Sequence, residues 1–390
     1  MSFEKFFDAP QVDSDAAKQK FIAHLDELKS MDVREQTLYQ KWYELHTDYN
    51  WAYNKASILK AKVWRPTDIT DRATTLTEIN DLRPILRFIP PTDKKGVEDW
   101  TLYRVFISSF NFDQNPGRFL RFFLEDEVTG QILGVTSLGS DVVNIGCRDN
   151  WIGWTKEQKL EGMLNHTAIG TTIVATQPFG FNFLGGKLLA SMLVTPVIRD
   201  IWKREYGETL VGLTTTSLYG DGSMYNSIPW WKSLGETMGK IPLKPTDDHY
   251  KVWHDIIKVK YPDEYQELLW NDNGGPATGV KQKILNIIFK EVGVKPSQYL
   301  HGFSRGVYFA PLYENTREYL RQEVTDEQLI PLKRETSHDA VLTWWRKKAI
   351  SRYETLFNDN RIKPESLFYN DVIFQTWEET KAKYLNEVGR

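Results

Sequence analysis

The sequence has few of the features that mark secreted or metal-binding proteins. It contains one cysteine, Cys147, in 390 residues, so an internal disulfide is excluded and we expect a cytoplasmic protein. The first residues, Met1 to Lys5, contain no apolar run, and no signal peptide is expected. The seven histidines are scattered without the spacing of metal ligands, so no metal site is expected.

An excess of charge of one sign is also missing. The chain has 49 Lys and Arg against 52 Asp and Glu, a net charge of −3, so a polyanion site has to be a local patch. The longest weakly charged segment, residues 170–198, contains only Lys187 as a charged residue. Glycines and prolines interrupt it, so we expect a buried strand, a loop and a buried helix, and no membrane partner.

Aromatic residues are abundant by contrast. The chain contains 14 Trp, 18 Tyr and 20 Phe, which together make up 13% of its residues. Large aromatic cores would account for them. The alternative is that some rings stack on bases or line a ligand pocket.

The length of 390 residues predicts two or three domains. Hydrophobic periodicity predicts both strands and helices, with an α/β core from about residue 120 to residue 240. Strands are predicted at residues 102–109, 118–125, 131–138, 171–176, 210–217 and 307–312, the second and third of these as a hairpin. Helices are predicted at residues 14–31, 34–63, 155–164, 186–206 with a kink at Pro196, 223–234, 254–270, 280–292 and 337–357.

The first candidate site is the loop between the strand at 171–176 and the following helix. Glycines at a helix start let the backbone approach a ligand, and the free N–H groups there bind phosphate. Asn182, Gly185, Gly186 and Lys187 are therefore candidates for holding a cofactor. A tight β–α turn with no ligand is the alternative.

The second candidate site follows the strand at 210–217, where hydroxyls, a carboxylate and phenols come together. Ends of strands in α/β layers are common positions for sites. The candidates are Thr215, Ser217, Asp221, Ser223 and Tyr225. The alternative for residues 221–223 is a turn followed by a helix cap.

The third candidate site is the segment 147–154, in which Arg148 and Asp149 lie beside two tryptophans, one of them Trp154. It predicts a fixed ion pair or a polar group held against an aromatic wall. The alternative is a surface turn with an Arg–Asp bridge. A basic helix face at residues 346–352 suggests either a solvated surface or a DNA contact.

Three of these blocks together resemble the DruA family, a component of the Druantia anti-phage system. Residues 148–154, Arg-Asp-Asn-Trp-Ile-Gly-Trp, resemble its RD-x-[WY]-IGW motif, and Asn165-His166-Thr167 resembles its Asn-x-[ST] segment. Residues 182–190, 222–237 and 307–312 resemble further blocks of the family. The resemblance covers residues 82–320 approximately and implies a role in antiviral defence.

The order of elements from residue 118 to residue 235 also resembles the GNAT acyltransferase fold, and the phage Mom DNA-modification protein is similar. This resemblance implies an α+β fold with a GNAT-like mixed sheet flanked by helices, and with helical N- and C-terminal extensions. It divides the chain into a helical hairpin extension (1–66), a core (67–240), a helical insertion (241–300), a closing strand (301–325) and a C-terminal helical extension (326–390).

Two functions are consistent with these resemblances. The first is a Mom-like transferase that modifies DNA bases in phage–host conflict and takes an acyl-CoA or related donor at Asn182, Gly185, Gly186 and Lys187. In it, Tyr225 and Asp221 would handle protons, and Arg148 and Asp149 would orient the substrate. Its further substrate-binding residues would be Trp154, Asn165, Thr215, Ser217, Ser223 and Trp231, the two tryptophans stacking on a flipped base.

The second function is a non-catalytic DNA-binding or assembly subunit of a defence or phage complex. Its terminal helices would then dock partner proteins, and side chains would fill the pocket.

Overall fold

The computed structural model describes residues 14–110, 117–217, 222–237, 241–242, 245–270, 280–301 and 305–387. Its α-helices are α1 (Ser14–Ser30), α2 (Val33–Thr47), α3 (Ala56–Ala61), α4 (Arg72–Asp81), α5 (Lys94–Ile107), α6 (Gly146–Ile152), α7 (Lys156–Leu160), α8 (Phe179–Phe183), α9 (Gly185–Met192), α10 (Pro196–Tyr206), α11 (Asp247–Lys260), α12 (Pro262–Leu269), α13 (Val280–Val292), α14 (Thr316–Leu320), α15 (His338–Asn358), α16 (Tyr369–Val372) and α17 (Trp377–Glu387). Its strands are β1 (Pro84–Ile89), β2 (Phe119–Asp126), β3 (Ile132–Ser140), β4 (Thr167–Ala175), β5 (Gly212–Ser217), β6 (Lys232–Glu236), β7 (Ile241–Pro242), β8 (Leu300–His301) and β9 (Gly306–Pro311).

The chain forms two compact units. One comprises Met1–Tyr43 and Gly239–Phe303, and the other comprises Glu44–Met238 and Ser304–Arg390. Residues 241–300, predicted as an insertion, therefore belong to the unit that contains α1. Residues 326–390, predicted as an extension, belong to the unit that contains the large sheet.

The smaller unit is mainly helical. The ring of Phe21 on α1 contacts Trp253 on α11 and Phe289 on α13 edge to face, with centroids 6.2 and 6.0 Å apart. Edge-to-face pairs at this spacing are favourable because the positive edge of one ring meets the negative face of the next. No helix among the described residues is long and apolar enough to cross a membrane.

The larger unit is built on a seven-stranded sheet of order β1-β2-β3-β4-β5-β9-β6. All neighbouring strands are antiparallel except β4 and β5, which are parallel. The α+β fold with a mixed sheet is confirmed, as are the β2–β3 hairpin and the strand β9. The predicted helix at residues 337–357 is α15, and the apolar residues that recur along it at helical spacing are buried: Leu342, Trp345, Ala349, Tyr353 and Leu356.

Helices α8, α9 and α15 cover one face of the sheet with a shared aromatic core. Trp345 of α15 is buried and donates its indole N–H to the carbonyl of Phe183, 2.9 Å away. Leu189 of α9 lies so close to β3 that a Cβ added to Gly134 would be 2.6 Å from its Cδ1. The absence of a side chain at Gly134 therefore sets how closely α9 approaches the sheet.

The strand predicted at residues 102–109 is wrong: residues 102–107 continue helix α5, which ends there. Asp93 accepts a hydrogen bond from the amide of Gly96 (2.9 Å) and so caps the helix start. Residues 102–106 are all buried, so their apolar pattern has no helical period. A short apolar run of this kind does not distinguish a buried helix from a strand.

Proline and backbone geometry divide other predicted helices. Pro196 begins α10 and Pro262 begins α12, because proline lacks the amide that a helix interior requires but fits its first turn. The predicted helix at 34–63 is divided by a 3-10 turn, Asn50–Lys55. Residues predicted as a helix at 155–164 form α7 and a 3-10 turn, Met163–His166.

Two segments near the candidate site also differ from prediction. The predicted loop at 179–186 is helix α8, followed by Leu184 in the left-handed conformation (φ 55°) and the start of α9. The predicted helix at 223–234 is a set of turns followed by strand β6. Pairing of β6 with β9 supplies backbone hydrogen bonds that local helical propensity does not outweigh.

We predict that Gly185→Ala destabilises the larger unit. A Cβ at this position would lie 2.3 Å from the buried ring of Phe179, so the α8–α9 junction would have to shift. The expected cost is about 1–3 kcal/mol, typical of overpacking, measured by urea unfolding. Gly146→Ala is the matched control, because nothing lies within 4 Å of its added Cβ. Equal stability of both variants would contradict this packing.

Candidate functional site

The sheet opens between its two parallel strands. β4 pairs with β5 only at Thr167↔Gly212, Ala168↔Leu213 and Ile169↔Thr214. Beyond these pairs β4 remains bonded to β3, and β5 remains bonded to β9. The two halves of the sheet therefore diverge towards the C-terminal ends of β4 and β5.

We call the opening between β4 and β5 the wedge, and polar side chains occupy its start. Thr215 donates its hydroxyl hydrogen bond to the carbonyl of Gly170, 3.1 Å away, where the backbone pairing has stopped. At the same level a register shift leaves Thr171 as an extra residue in β4. Its hydroxyl lies 2.7 Å from that of Ser137. Such bulges bend a strand and redirect its side chains.

Tyr225 lies in the wedge. It is buried, its hydroxyl is 3.4 Å from that of Thr215, and its ring lies 5.0 Å from Tyr308 and 5.3 Å from Trp231. Burial raises the pKa of the Tyr225 phenol, and the Thr215 hydrogen bond opposes this only in part. Tyr225 therefore keeps its proton at neutral pH.

Trp231 and Ser223 hold this arrangement in place. Trp231 donates its indole N–H to the carbonyl of Ala190 (2.9 Å), one of the carbonyls left without a helical partner at the end of α9. Ser223 is buried and accepts a hydrogen bond from the amide of Tyr225 (3.4 Å). Ser217 is buried at the end of β5. The structure thus brings Thr215, Ser223, Tyr225 and Trp231 together.

The two glycines at the start of α9 are each covered by a side chain from outside that helix. A Cβ on Gly186 would lie 2.6 Å from the sulfur of Met224, and the ring of Phe179 fills the corresponding space beside Gly185. Lys187 donates to the carbonyl of Asn226 (2.7 Å) and to the hydroxyl of Ser227 (2.8 Å). The turn at 224–227 therefore covers the start of α9.

Asn182 is fully buried and bound within the chain. Its side-chain amide donates to the carbonyls of Pro178 (3.1 Å) and Lys363 (2.6 Å), and its carbonyl oxygen accepts from the amide of Lys363 (3.0 Å). In this conformation Asn182 joins α8 to the C-terminal segment.

Arg148 and Asp149 belong to a second cluster, which we call the charged cluster: Asp141, Arg148, Asp149 and Lys159. The Arg148 guanidinium is fully buried between Asp141 and Asp149, each 2.7 Å away. Lys159 lies 2.7 Å from Asp149. Two cations and two carboxylates balance the charge, which is the condition for burying such groups.

Asp149 is the most connected member of the charged cluster. One of its oxygens accepts from the Nε and Nη2 atoms of Arg148 (2.9 and 2.7 Å) and from the indole N–H of Trp154 (3.0 Å). Burial raises the pKa of Asp149, but the Lys159 hydrogen bond and the Arg148 charge outweigh it, so the pKa is lowered. The carboxylate is therefore ionised at neutral pH.

The wedge and the charged cluster lie on opposite faces of β5. Thr214 donates its hydroxyl to Asp141 (2.7 Å), whereas the next residue, Thr215, points towards Tyr225. Successive side chains of a strand point to opposite faces. On the neighbouring strand β9, Tyr308 accordingly contacts Tyr225 and Phe309 contacts Trp151. Arg148 and Asp149 are thus separated by the sheet from Tyr225.

Two predicted site residues fall elsewhere. Asn165 lies in the turn before β4, at the opposite end of that strand from the wedge opening, and its carbonyl accepts from Arg118 (3.0 Å). Asp221 lies outside the described residues.

Four residues that contribute to the wedge or to the charged cluster were not predicted from the sequence. Asp141 and Lys159 complete the charged cluster, and Thr214 donates a hydrogen bond to it. Tyr308, which donates to the side chain of Asn226 (3.0 Å), completes the wedge. An acidic residue directly after an apolar strand, as at Asp141, was an available signal. The others depend on strand register.

Together the fold and these clusters define an α+β protein with a mixed sheet that opens at its parallel pair and carries a buried tyrosine in the opening. The family model for the Druantia protein DruA matches residues 44–322, and the chain belongs to this family. The Druantia protein DruA of Escherichia coli (strain UMEA 4076-1) is 26% identical over 285 residues, covering 67% of this chain and 68% of that protein. No solved structure matches the chain.

The family match confirms the resemblance to the DruA family seen in the sequence. The matched residues include both the wedge and the charged cluster. They end before α15 begins.

We predict that Asp149→Asn destabilises the protein by about 3–5 kcal/mol at neutral pH, because Arg148 and Lys159 would lose a buried counter-charge. Asp149 has a lowered folded-state pKa. Its contribution is therefore present above the unfolded pKa of about 3.9 and lost as pH falls through the folded value.

Urea unfolding from pH 7 to pH 3 measures both effects. The stability difference between wild type and Asp149→Asn should shrink as the pH falls. Asp81→Asn, an exposed carboxylate at the end of α4, is the control and should change stability by less than about 0.5 kcal/mol. A pH-independent difference for Asp149→Asn would contradict the assigned role.

Proposed function

We propose that this chain is a GNAT-like, Mom-like transferase that modifies DNA bases as part of anti-phage defence. The observation that carries this proposal is the divergence of β4 and β5 after three residue pairs. In GNAT-like proteins the corresponding strands separate to admit the donor. The strand arrangement, with a single parallel pair inside an otherwise antiparallel sheet, supports the same assignment.

In this proposal the wedge binds an acyl-CoA or related donor, and α9 begins beside it. The start of α9 offers backbone N–H groups and the positive end of the helix dipole, and Lys187 adds a cation. Binding there requires the turn at 224–227 to move, because Met224 and the bonds of Lys187 now occupy this position. Ser227 in that turn has a positive φ of 68°, a conformation unfavourable for serine.

Tyr225 is the proposed general acid. Its raised pKa keeps the phenol protonated, so it can donate a proton to the leaving group of the donor. Thr215 would accept from or donate to Tyr225 and so orient the phenol. Asp221 remains a proposed proton carrier. Arg148 and Asp149, which lie beyond the sheet, would support the substrate side through the position of α6 and not by direct contact with Tyr225.

A second function is favoured by a specific observation: side chains fill the described part of the site. Met224 covers Gly186, and Tyr225 is buried. This packing suits a non-catalytic DNA-binding or assembly subunit that keeps the fold and works with other defence proteins. The two functions differ in whether the Tyr225 hydroxyl is needed.

We predict that Tyr225→Phe abolishes base modification while the protein stays folded. The substitution keeps the ring contacts and removes one weak hydrogen bond, at a stability cost of about 0.5–1.5 kcal/mol. Mass spectrometry of nucleosides from cells expressing the wild type should reveal a modified base that is absent with the variant. Phage plaque counts on the same strains measure protection.

Tyr103→Phe is the matched control, since Tyr103 is also buried and its hydroxyl donates to the carbonyl of Leu59 (2.7 Å) away from the wedge. It should retain modification and protection. Full protection by Tyr225→Phe, or an unmodified nucleoside profile with intact wild-type protein, would favour the non-catalytic function.

We also predict that Met224→Ala increases affinity for coenzyme A. Removing the side chain that covers Gly186 should leave less packing to displace on binding, with a gain of about 3- to 10-fold, equivalent to about 1 kcal/mol. Isothermal titration calorimetry with coenzyme A measures it. Met192→Ala, a buried change at the far end of α9, should give no gain. No binding by any of the three proteins would refute a CoA-type donor.

A further inference from the structure

Five cations gather where α8 and the start of α9 meet α15 and the segment after it. We call this group the basic surface: Lys187, Lys348, Arg352, Arg361 and Lys363. Lys348, Arg361 and Lys363 are exposed, and Lys187 and Arg352 are half-buried. All five belong to the larger unit. Within this group, Arg361 forms an ion pair with Asp359, 2.5 Å away.

The ring of Phe181 holds two of these cations in place. The Arg352 guanidinium lies 5.0 Å from the ring centroid, and the Lys363 ammonium lies 4.6 Å from it. Cation–π attraction favours both positions. Phe181 therefore orders two long side chains that would otherwise lose much of their freedom on binding a ligand.

A buried amide fixes the backbone beneath the same cations. Asn182 bonds to both the carbonyl and the amide of Lys363, at 2.6 and 3.0 Å. Arg352 also approaches the carbonyl of Phe181, at 3.5 Å. The basic surface is thus attached to α8 at two points, Asn182 and the carbonyl of Phe181.

The like charges are close enough to repel one another. Burial and the charge of Lys348 lower the pKa of Lys187, and burial and the charge of Arg361 lower the pKa of Arg352. Lys348 and Arg352 are also one helical turn apart on α15, a spacing at which like charges destabilise a helix. A polyanion would relieve this repulsion.

We propose that the basic surface binds the phosphate backbone of DNA and places it beside the wedge. The chain has a net charge of −3, so attraction of DNA has to come from a local concentration of cations. Lys187 links the two regions, since its side chain contacts Asn226 next to Tyr225. The proposal rests on the proposed function in one respect, that the acceptor is DNA. Four of the five cations lie beyond the residues that the family model matches.

The test is the full-length triple variant Lys348→Gln, Arg352→Gln, Lys363→Gln. Its matched control is Lys94→Gln, Lys95→Gln, Lys156→Gln, which removes three exposed lysines from α5 and α7. Fluorescence anisotropy with labelled 20-base single-stranded and duplex DNA at several salt concentrations gives both affinity and salt dependence.

Loss of three phosphate contacts should weaken binding about 100-fold near 0.15 M salt and lower the slope of log K against log salt by about 3. The control should match the wild type in both. Equal weakening of the two variants, or no DNA binding by the wild type, would overturn the proposal. The proposal would also be overturned if the triple variant lost binding to phosphatidylglycerol vesicles and bound DNA as the wild type does. That result would assign the surface to anionic membranes.

Nucleoside mass spectrometry on the same strains separates this proposal from the proposed function. If the triple variant loses DNA binding and no strain contains a modified base, the DNA-binding role of the basic surface is supported and the transferase function is rejected. If base modification depends on Tyr225 and the triple variant binds DNA normally, the transferase function is supported and the role of the basic surface is rejected.

Discussion

The parallel pair of β4 and β5 determines how the larger unit is organised. Three backbone pairs hold the strands together, and each strand then stays with its antiparallel neighbour. Unsatisfied backbone groups in a buried opening are costly, so side chains have to replace the missing ladder. Thr215 does this through Gly170, and Tyr225 fills the space beyond. The position of the candidate site follows from this requirement.

Strand β5 separates two kinds of interaction. On one face of β5 the wedge is aromatic and hydroxyl-rich, and burial keeps its tyrosine protonated. On the other face the charged cluster compensates the charge of Arg148 with two carboxylates, and Thr214 links the cluster on α6 and α7 to the sheet. A buried guanidinium is tolerated only with such compensation. Arg148 and Asp149, which the sequence suggested as substrate-orienting residues, therefore also have a structural role.

The four residues that the sequence suggested as one phosphate-binding loop have three separate structural roles. Gly185 and Gly186 make room for Phe179 and Met224, Asn182 anchors the backbone of Lys363, and Lys187 caps the turn at 224–227. Because α8 replaces the expected loop, its Phe181 and Asn182 organise cations from the C-terminal part of the chain. The regions proposed for donor and DNA thus meet at Lys187.

The sequence by itself determined the α+β class, the β2–β3 hairpin, the strand β9, the apolar face of α15 and the family. These depend on local periodicity and on motifs of neighbouring residues, which a sequence displays directly. It did not determine α5, since a run buried on all sides has no period, nor β6, whose strand form depends on its partner β9.

Only the tertiary structure decided which candidate residues meet. Tyr225 and Thr215 are brought together because β4 and β5 part at Gly170, and Arg148 and Asp149 are kept from them because Thr214 and Thr215 point to opposite faces. Strand register sets both outcomes, and a shift of one residue would exchange the two faces. Such register is fixed by packing across the whole sheet, which is why it could not be predicted from adjacent residues.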